Sequence, residues 1–291
     1  MNITFIGLGV MGYPMAGHLA KRDGFQVTVY NRTTSKARQW IDEYPGAMND
    51  SIADAVKDAD IIVTCVGADP DLRSLFTGPE GIISNAPDGV LILDHTTASA
   101  TVTRELAEQA SSHNQHWVDA PVSGGQQGAE NGQLTIMCGG DRSDFERAQP
   151  VLDCYGKVSH YMGAVGSGQL TKMVNQITVA GLLEGLAEGI HFAEQAGLDT
   201  EAVIGAISGG AAQSWQMDNR ADTMIAGEYN HGFAVDWMRK DLAICLSEAR
   251  ERGATLPAAA LIDQFYGDVQ ALGGGCWDTS SLLERLRKRS G

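Results

Sequence analysis

Short apolar segments alternate with polar, helix-forming segments along the first half of the chain. The apolar segments are rich in β-branched residues and nearly continuous in apolar character, as expected of strands that are covered on both faces. They are ITFIG (3–7), QVTVY (26–30), DIIVTCV (60–66), VLILDH (90–95), HWVDAPV (116–122), LTIMCGG (134–140) and KVSHYMG (157–163). Strand–helix alternation of this kind predicts an α/β fold with a parallel, doubly wound sheet.

After residue 166 the strand pattern stops, and the rest of the chain predicts helices only. Glycine and proline positions divide this part into six helical segments: 167–197, 199–209, 214–227, 233–253, 257–272 and 278–289. The first segment, at about 30 residues, is well beyond the usual length of a globular helix. We therefore expect it to join two domains, an α/β domain over residues 1–163 and an all-α domain over residues 164–291.

Composition narrows the classes of function. Apolar residues make up 43% of the chain and the formal net charge is −15, which disfavours general attraction to nucleic acid or to anionic membranes. The five cysteines are widely spaced, as is typical of free thiols in a reducing compartment. The first residues run into a strand pattern rather than a signal peptide, and the apolar stretch 177–193 carries two glutamates and a histidine. We expect a cytoplasmic protein in which that stretch is a buried helix.

A glycine-rich turn follows the first predicted strand, in the segment IGLGVMGYPMAGHL (6–19). In Gly7-x-Gly9-x-x-Gly12 the first glycine allows a tight turn, the second lets a pyrophosphate approach the backbone, and the third lets the helix pack on the strand. The helix that begins here directs its N-terminus at the anion. We expect this loop to bind a dinucleotide, through Gly7, Leu8, Gly9, Val10, Met11 and Gly12.

The segment VYNRTT (29–34), which closes the second predicted strand, bears on the choice of cofactor. A carboxylate in this region typically accepts from the ribose 2′-hydroxyl of NAD, whereas an arginine suits the 2′-phosphate of NADP. Asn31 carries no charge to repel that phosphate, Arg32 offers a planar fork of donors, and Thr33 adds a hydroxyl. These residues favour NADP. The alternative is that Arg32 is a solvated surface residue and NAD is also accepted.

Four ordered motifs make the chain more specific than a generic nucleotide-binding protein: FIGLGVMGYPMAGHL (5–19), DAPVSGGQQGAENGQLTIMCGG (119–140), GSGQLTKMVNQ (166–176) and KDL (240–242). With them the chain resembles the β-hydroxyacid dehydrogenase family, which includes 3-hydroxyisobutyrate dehydrogenases, tartronate semialdehyde reductases and glyoxylate/succinic semialdehyde reductases. More distantly it is similar to 6-phosphogluconate dehydrogenase. The resemblance implies a Rossmann-type domain, an interdomain helix and an all-helical domain, with the active site between the domains and a homodimer or homotetramer as the assembly.

The resemblance also assigns roles to residues near the substrate. Ser123, Gly124 and Gly125 lie just past a predicted strand, where a hydroxyl and glycine amides can form a nest for a carboxylate. Taken alone, Ser-Gly-Gly is more often a plain turn. The motif position of Lys172 implies the proton donor, since a lysine in a partly desolvated cleft is suited to general acid–base work. Without the motif, a snorkelling surface lysine would be the better interpretation.

Asn175 and Gln176 follow Lys172 by three and four residues, which places them on the same helix face. Family members often have asparagine at both positions, and the Asn-Gln pair is similar to the tartronate semialdehyde reductase branch. A glutamine has the same donors and acceptors as an asparagine, so we expect both residues to bind substrate. Gln176 differs from that asparagine by one additional methylene.

Other contacts are implied by the resemblance alone. Phe233 and Lys240 are implied to reach the cofactor or substrate, although Lys240 and its neighbour Asp241 would otherwise read as a solvated helix pair. Thr97 lies at the family's Asp-x-Ser-Thr position beside the nicotinamide ribose, and Val66 lies in a cofactor-contacting loop where glycine replaces the family's usual proline. A glycine there predicts a less rigid loop.

We expect no metal site. His113 and His116 form an H-x-x-H pair, but no cysteine or carboxylate cluster accompanies it. His95 is expected to pack near the cofactor rather than to react. The predicted function is interconversion of a short β-hydroxy acid and its semialdehyde or keto form by hydride transfer with NADP. The alternatives are an imine reductase, which usually lacks the lysine at position 172, and a non-catalytic NADP-binding protein.

Overall fold

A computed structural model of the protein describes residues 1–289, with side chains to residue 288. The chain forms two compact units, Met1–Lys172 and Met173–Gly291. A mostly parallel sheet organises the first unit, and helices build the second. The predicted fold class is therefore confirmed: an N-terminal Rossmann-type α/β sheet, a long helix and an all-α C-terminal part. The units meet in sequence inside that long helix, whereas the pattern of the sequence placed the domain boundary before it.

Within the described part of the chain, nine strands form the sheet. Their bounds are β1 Asn2–Ile6, β2 Gln26–Tyr30, β3 Ala47–Met48, β4 Ile61–Thr64, β5 Leu91–Asp94, β6 His116–Asp119, β7 Val122–Ser123, β8 Leu134–Gly140 and β9 Gly156–Gly163. The order is β3-β2-β1-β4-β5-β6-β8-β7. Strands β6 and β7 pair with successive parts of β8, and β9 pairs with its opposite edge. The first six strands in this order are parallel, and helices connect most of them.

The sheet departs from parallel order at its C-terminal end. Strand β8 runs antiparallel to β6 and β7, and β9 is parallel to β8. The predicted strand 116–122 is also two strands, because the chain breaks at Ala120 and Pro121. Proline has no backbone N–H to donate to a ladder, although its carbonyl accepts from Met137 N at 3.0 Å. As a result Ser123 lies within β7 rather than in a loop past β6.

Helices of the first unit cover both faces of the sheet. They are α1 Gly12–Ala20, α2 Thr34–Glu43, α3 Ile52–Val56, α4 Asp69–Phe76, α5 Ile82–Asn85, α6 Ala100–Ser112, α7 Gly125–Glu130 and α8 Arg142–Leu152. Alternation along the strands divides the core in two: Ile61 and Val63 of β4 pack in one cluster, while Ile62 packs in the other. Each strand side chain points to the opposite face from the next, so nearly continuous apolar runs are required.

The second unit contains the predicted helices with small shifts at their ends. They are α9 Ser167–Gln195, which begins in the first unit, α10 Thr200–Ile207, α11 Trp215–Ala226, α12 Val235–Arg252, α13 Pro257–Ala271 and α14 Leu282–Arg289, the last preceded by a 3-10 turn at Thr279–Ser281. Leu183, Met238 and Tyr266 lie in the core they share. Serine at position 214 caps α11 by accepting from Met217 N at 3.1 Å, a standard way to satisfy a free helical N–H. Among the residues described, no helix has the length and apolar character needed to cross a bilayer.

The sheet ends in short or irregular strands. Strand β3 has two residues at one end. At the other end β9 is the outer neighbour of β8, and their register shifts twice, between Leu134 and Thr135 and between Cys138 and Gly139. Lys157 in β9 is exposed.

Candidate active site

The glycine-rich turn Gly7–Met11 connects β1 to α1. Its two glycines and Gly12, the first residue of α1, are each suited to the site for a different reason. Gly7 has a φ of +102°, and a Cβ there would lie 2.2 Å from the Cys65 carbonyl oxygen. A Cβ on Gly12 would lie 2.0 Å from the Gly7 carbonyl oxygen. Gly9 is the opposite case, since a Cβ there would meet nothing within 4 Å. Two glycines therefore allow the chain to pack on itself, and the open space beside Gly9 suits a diphosphate approaching the start of α1.

Asn31 shapes this turn from the end of β2. Its Oδ1 accepts from Leu8 N at 2.9 Å, and its Nδ2 donates to the Thr33 carbonyl at 3.0 Å. The carboxamide therefore links the glycine-rich turn to the segment that opens α2. A carboxylate could accept the first bond but could not donate the second, so the structure gives Asn31 a role that the sequence did not reveal.

Arg32 projects from the same segment, with its side chain 90% exposed. Its Nη1 lies 3.4 Å from Oδ1 of Asp71, and an exposed pair of this kind stabilises by about 0–1 kcal/mol. Asp71 also accepts from Ala68 N at 3.1 Å, at the start of α4. Thr33 is the residue before α2 and its side chain makes no capping bond. The guanidinium and the local hydroxyls are thus accessible to a phosphate.

The predicted nicotinamide side of the cofactor site is built on the ends of β4 and β5. Thr96 Oγ1 accepts from Val66 N at 3.0 Å, and Thr96 N donates to Asp94 Oδ1 at 3.1 Å. The Thr96 hydroxyl therefore holds the Val66 loop to the segment that carries Thr97. A hydrogen bond thus joins the two segments that carry Val66 and Thr97, both predicted to contact the cofactor.

His95 is fully buried next to this segment. Its Nδ1 lies 2.6 Å from the Ala120 carbonyl, and its Nε2 lies 2.7 Å from the Tyr155 hydroxyl. A carbonyl can only accept, so Nδ1 carries the hydrogen and Nε2 accepts from the tyrosine. Burial lowers the pKa of His95 to about 4. The ring is therefore neutral at ordinary pH and ties β5 to the chain that follows β6, in keeping with a packing role.

Ser123 ends β7, Gly124 follows it, and Gly125 begins α7. Gly124 has a φ of +133° and Gly125 a φ of +60°, conformations that favour glycine. A Cβ on Gly124 would lie 3.1 Å from a methyl of Leu134, whereas both glycines are exposed on their other side. Gly124 and Gly125 are therefore exposed to solvent, and the role of this turn in binding substrate stays a prediction.

Lys172 lies in the second turn of α9 and is only 8% exposed. The start of that helix is held by Asp119, at the end of β6, whose two carboxylate oxygens accept from Gly166 N at 2.7 Å and Gln169 N at 2.9 Å. Burial raises the pKa of Asp119 to about 7, against the opposing effect of these backbone bonds. Asp119 is the first residue of the motif at 119–140. The sequence did not predict its role, because that role depends on partners about 50 residues away in the chain.

Further along α9, Gln176 is buried and bonded at both ends. Its Oε1 accepts from Asn175 Nδ2 at 2.8 Å, and its Nε2 donates to Asp241 Oδ2 at 2.7 Å. Asp241 is 2% exposed, and Lys240 Nζ lies 3.0 Å from its Oδ1. The solvated-pair interpretation of Lys240 and Asp241 is therefore wrong for Asp241. Gln176 orients Asn175 and connects it to α12, and direct contact of Gln176 with substrate stays a prediction.

Phe233 precedes α12 and is partly buried against the helical core. Its backbone N donates to Asp278 Oδ2 at 2.8 Å, and Asp278 is 1% exposed beside Arg220, at 3.3 Å. The segment is thus well anchored within the second unit, and its contact with the cofactor stays a prediction.

No cluster of three or more histidine, cysteine or acidic residues that could hold a metal ion occurs among the described residues. His116 instead pairs with Asp144 at 3.1 Å. The described cysteines are free thiols.

Comparison with known proteins agrees with this architecture. Residues 2–166 match the NAD binding domain of 6-phosphogluconate dehydrogenase, and residues 166–286 match the NAD-binding region of NADP-dependent 3-hydroxyisobutyrate dehydrogenase. An uncharacterized oxidoreductase of Shewanella frigidimarina is 58% identical over 99% of this chain and 98% of its own. The 2-hydroxy-3-oxopropionate reductase of Escherichia coli is 34% identical over 98% of this chain and 97% of its own.

A solved structure of Mycobacterium tuberculosis 3-hydroxyisobutyrate dehydrogenase with L-serine has a TM-score of 0.90 at 29% identity, covering 98% of this chain and 99% of that one. Fold, glycine-rich turn and matched families together define a dehydrogenase with a nicotinamide cofactor. The chain belongs to the β-hydroxyacid dehydrogenase family, as the four sequence motifs indicated.

Proposed function

We propose that the protein is an NADP-dependent reductase of a short semialdehyde or keto acid, which it converts to the β-hydroxy acid. The observation that carries the proposal is the buried Lys172, held in the second turn of a helix whose start is fixed on the sheet. A buried amine at this family position is suited to proton transfer. Reduction is the favoured direction in cells, because the NADP pool is kept reduced.

The preference for NADP is supported by charge. The end of β2 carries the neutral Asn31 in place of a carboxylate, and the exposed Arg32 can give two donors to a phosphate. The open space beside Gly9 accommodates the pyrophosphate. When bound, the cofactor supplies or accepts the hydride. Val66, Thr97, Phe233 and Lys240 are proposed to complete its binding site.

Within the chain, the proposed chemistry divides between holding substrate and moving a proton. Ser123 and the amides of Gly124 and Gly125 hold the carboxylate. Lys172 gives a proton from Nζ to the forming alkoxide, and its charge stabilises that oxygen as negative charge develops. Asn175, oriented by Gln176, positions the substrate hydroxyl or carbonyl. In the oxidative direction the same lysine acts as the base.

The substrate class follows from this arrangement and from the named relatives. The turn at Ser123 can bind one carboxylate, and the E. coli relative is named for 2-hydroxy-3-oxopropionate, a three-carbon acid. We propose a small acid of that kind, among methylmalonate, tartronate and succinic semialdehydes and glyoxylate.

Assembly is proposed to involve a second copy of the chain. A groove of about 430 Å³ on the second unit is lined by Gly181, Gly185 and Gly189 of α9 and by apolar residues of α10. Side chains at these glycines would meet nothing within 4 Å, so another helix can approach closely. Light scattering should give a dimer or tetramer for the native protein and a smaller species for Gly185→Glu. A native monomer, or an unchanged Gly185→Glu mass, would exclude this surface.

The first experiment is a set of initial rates with NADPH and NADH against the four compounds, for the native protein and for Lys172→Met. We expect NADPH oxidation with at least one compound, and loss of at least 1000-fold in kcat for Lys172→Met, with NADPH affinity little changed. Turnover that survives in Lys172→Met would refute the role of the lysine. If NADPH binds but none of the acids reacts, a cyclic imine is the next substrate to supply. Reduction of the imine alone would favour the imine reductase alternative, and no reaction at all the non-catalytic one.

A further inference from the structure

Gln169 is a buried glutamine in the first turn of α9, with a relative exposure of 0%. Its Nε2 donates to the Thr96 carbonyl at 2.7 Å, and its Oε1 accepts from Ala98 N at 3.1 Å. These two bonds grip the backbone immediately before and after Thr97. A carboxamide is the side chain that can satisfy one carbonyl and one N–H at the same time.

Asp119 fixes the same helical turn from the other side. The first N–H groups of a helix have no partner within the helix, and here Gly166 N and Gln169 N donate to the Asp119 carboxylate. The packing leaves no room for a side chain at position 168: a Cβ on Gly168 would lie 2.4 Å from the Met137 carbonyl oxygen and 2.6 Å from that of Asp119. The start of α9 therefore packs directly on the carboxyl end of β6 and on the middle of β8.

Lys172 follows Gln169 by three residues, so the two lie on the same face of the helix. We propose that Gln169 is a positioning residue that sets the distance between Lys172 and the Thr97 segment, with Asp119 anchoring the helix. The inference rests on the proposed function, in which Lys172 moves the proton and Thr97 lies beside the cofactor. Gln169 itself touches neither substrate nor cofactor in this scheme, and it acts through the lysine.

A loss of position of about 1 Å can cost on the order of 100-fold in rate. Gln169→Met keeps the length and volume of the side chain but removes both bonds. We expect kcat to fall about 10- to 100-fold, while the affinity for NADPH falls by a smaller factor, because the glycine-rich turn and Arg32, the proposed phosphate contacts, are untouched.

A matched control exists in the same unit. Gln115 is also buried, and its Nε2 donates to the Ile83 and Ala86 carbonyls, each at 3.1 Å. It lies before β6, at the end of that strand opposite to Asp119. Gln115→Met should lower the free energy of unfolding by about 1–3 kcal/mol and leave kcat per folded molecule unchanged.

Hydrogen exchange of the cofactor-free protein gives a readout that needs no turnover. Amides of the first turn of α9 and of Ala98 should exchange at least tenfold faster in Gln169→Met, and not in Gln115→Met, once global stability is taken into account. Unchanged exchange at these amides, or a kcat loss no larger in Gln169→Met than in Gln115→Met, would overturn the inference.

Exogenous amine separates this inference from the proposed function. In a Lys172→Ala background rescued by methylamine, a free base replaces the tethered one, so adding Gln169→Met should cause little further loss. An equal loss in both backgrounds would show that Gln169 does not act through the lysine. If Lys172→Ala needs no rescue, the proposed function is wrong. If Lys172→Ala is inactive and Gln169→Met is fully active, only the positioning role is wrong.

Discussion

Replacing Arg32 by alanine isolates the proposed preference for NADP. The side chain is 90% exposed and its one described ion pair, with Asp71, has a distance of 3.4 Å. The fold should therefore tolerate its removal, since an exposed pair stabilises by about 0–1 kcal/mol at most. What should change is the affinity for the cofactor that carries a 2′-phosphate.

The expected loss of NADPH affinity follows from the contacts that Arg32 would exchange on binding the phosphate. A hydrogen bond to a charged group contributes about 1.5–3 kcal/mol, and the arginine must give up its pair with Asp71, worth up to about 1 kcal/mol. The net contribution is about 0.5–3 kcal/mol, which corresponds to roughly 2- to 140-fold weaker NADPH binding at about 1.4 kcal/mol per tenfold. NADH has no phosphate at this position, so its affinity should change less than about twofold. The effect on NADPH should shrink at high salt.

The assay is titration of both cofactors by the fluorescence of the reduced nicotinamide, at low and high salt. Arg142→Ala is the matched control, because Arg142 is an exposed arginine of the same unit that pairs with Glu146 at 3.0 Å. Asp71→Asn should tighten NADPH binding up to about fivefold by removing the competing carboxylate. Equal weakening of NADPH and NADH by Arg32→Ala, or no weakening of either, would refute the reasoning.

Three further predictions concern the turn, the pH dependence and the helical core. Gly9→Ala should leave the melting temperature unchanged in calorimetry and weaken NADPH binding by about tenfold or more in titration. Gly12→Ala should lower both the melting temperature and the affinity for NADPH. A destabilised Gly9→Ala would contradict the open space beside Gly9. The pKa of His95 is lowered to about 4 in the folded protein, so its neutral ring stabilises the fold above the unfolded pKa of about 6.5, and on the order of 3 kcal/mol is lost as the pH falls toward 4. The free energy of unfolding of His95→Gln, measured in urea, should therefore depend less on pH than that of the native protein. Identical pH profiles would contradict the shift. Arg285 and Glu184 form a buried ion pair at 2.9 Å, so Arg285→Leu should cost about 3–5 kcal/mol and the double replacement by leucine much less; equal losses in urea unfolding would argue against the pair.

The sequence predicted most of what depends on neighbouring residues. The glycine-rich turn could be assigned because its requirements are local: a tight turn, an open backbone and a close helix. The helices of the second unit were also placed to within a few residues, because glycine and proline mark their ends.

What the sequence did not show depends on distant partners. The direction of β8 could not be predicted, because an apolar β-branched run has the same pattern in either direction. The break at Pro121 did have a signal, since proline is disfavoured inside a strand. Gln169 and Asp119 look unremarkable until the fold brings residues 96, 119 and 169 together.

The ends of the sheet have a consequence for the behaviour of the protein at high concentration. An open strand edge is a template on which another molecule can add a strand, and aggregation often begins there. Here one edge is only two residues long, and at the other edge β9 follows β8 with two register shifts and carries the exposed Lys157. Irregular register and a charged side chain both oppose regular pairing with a second chain. Both edges of the sheet are thus poorly suited to recruit another molecule.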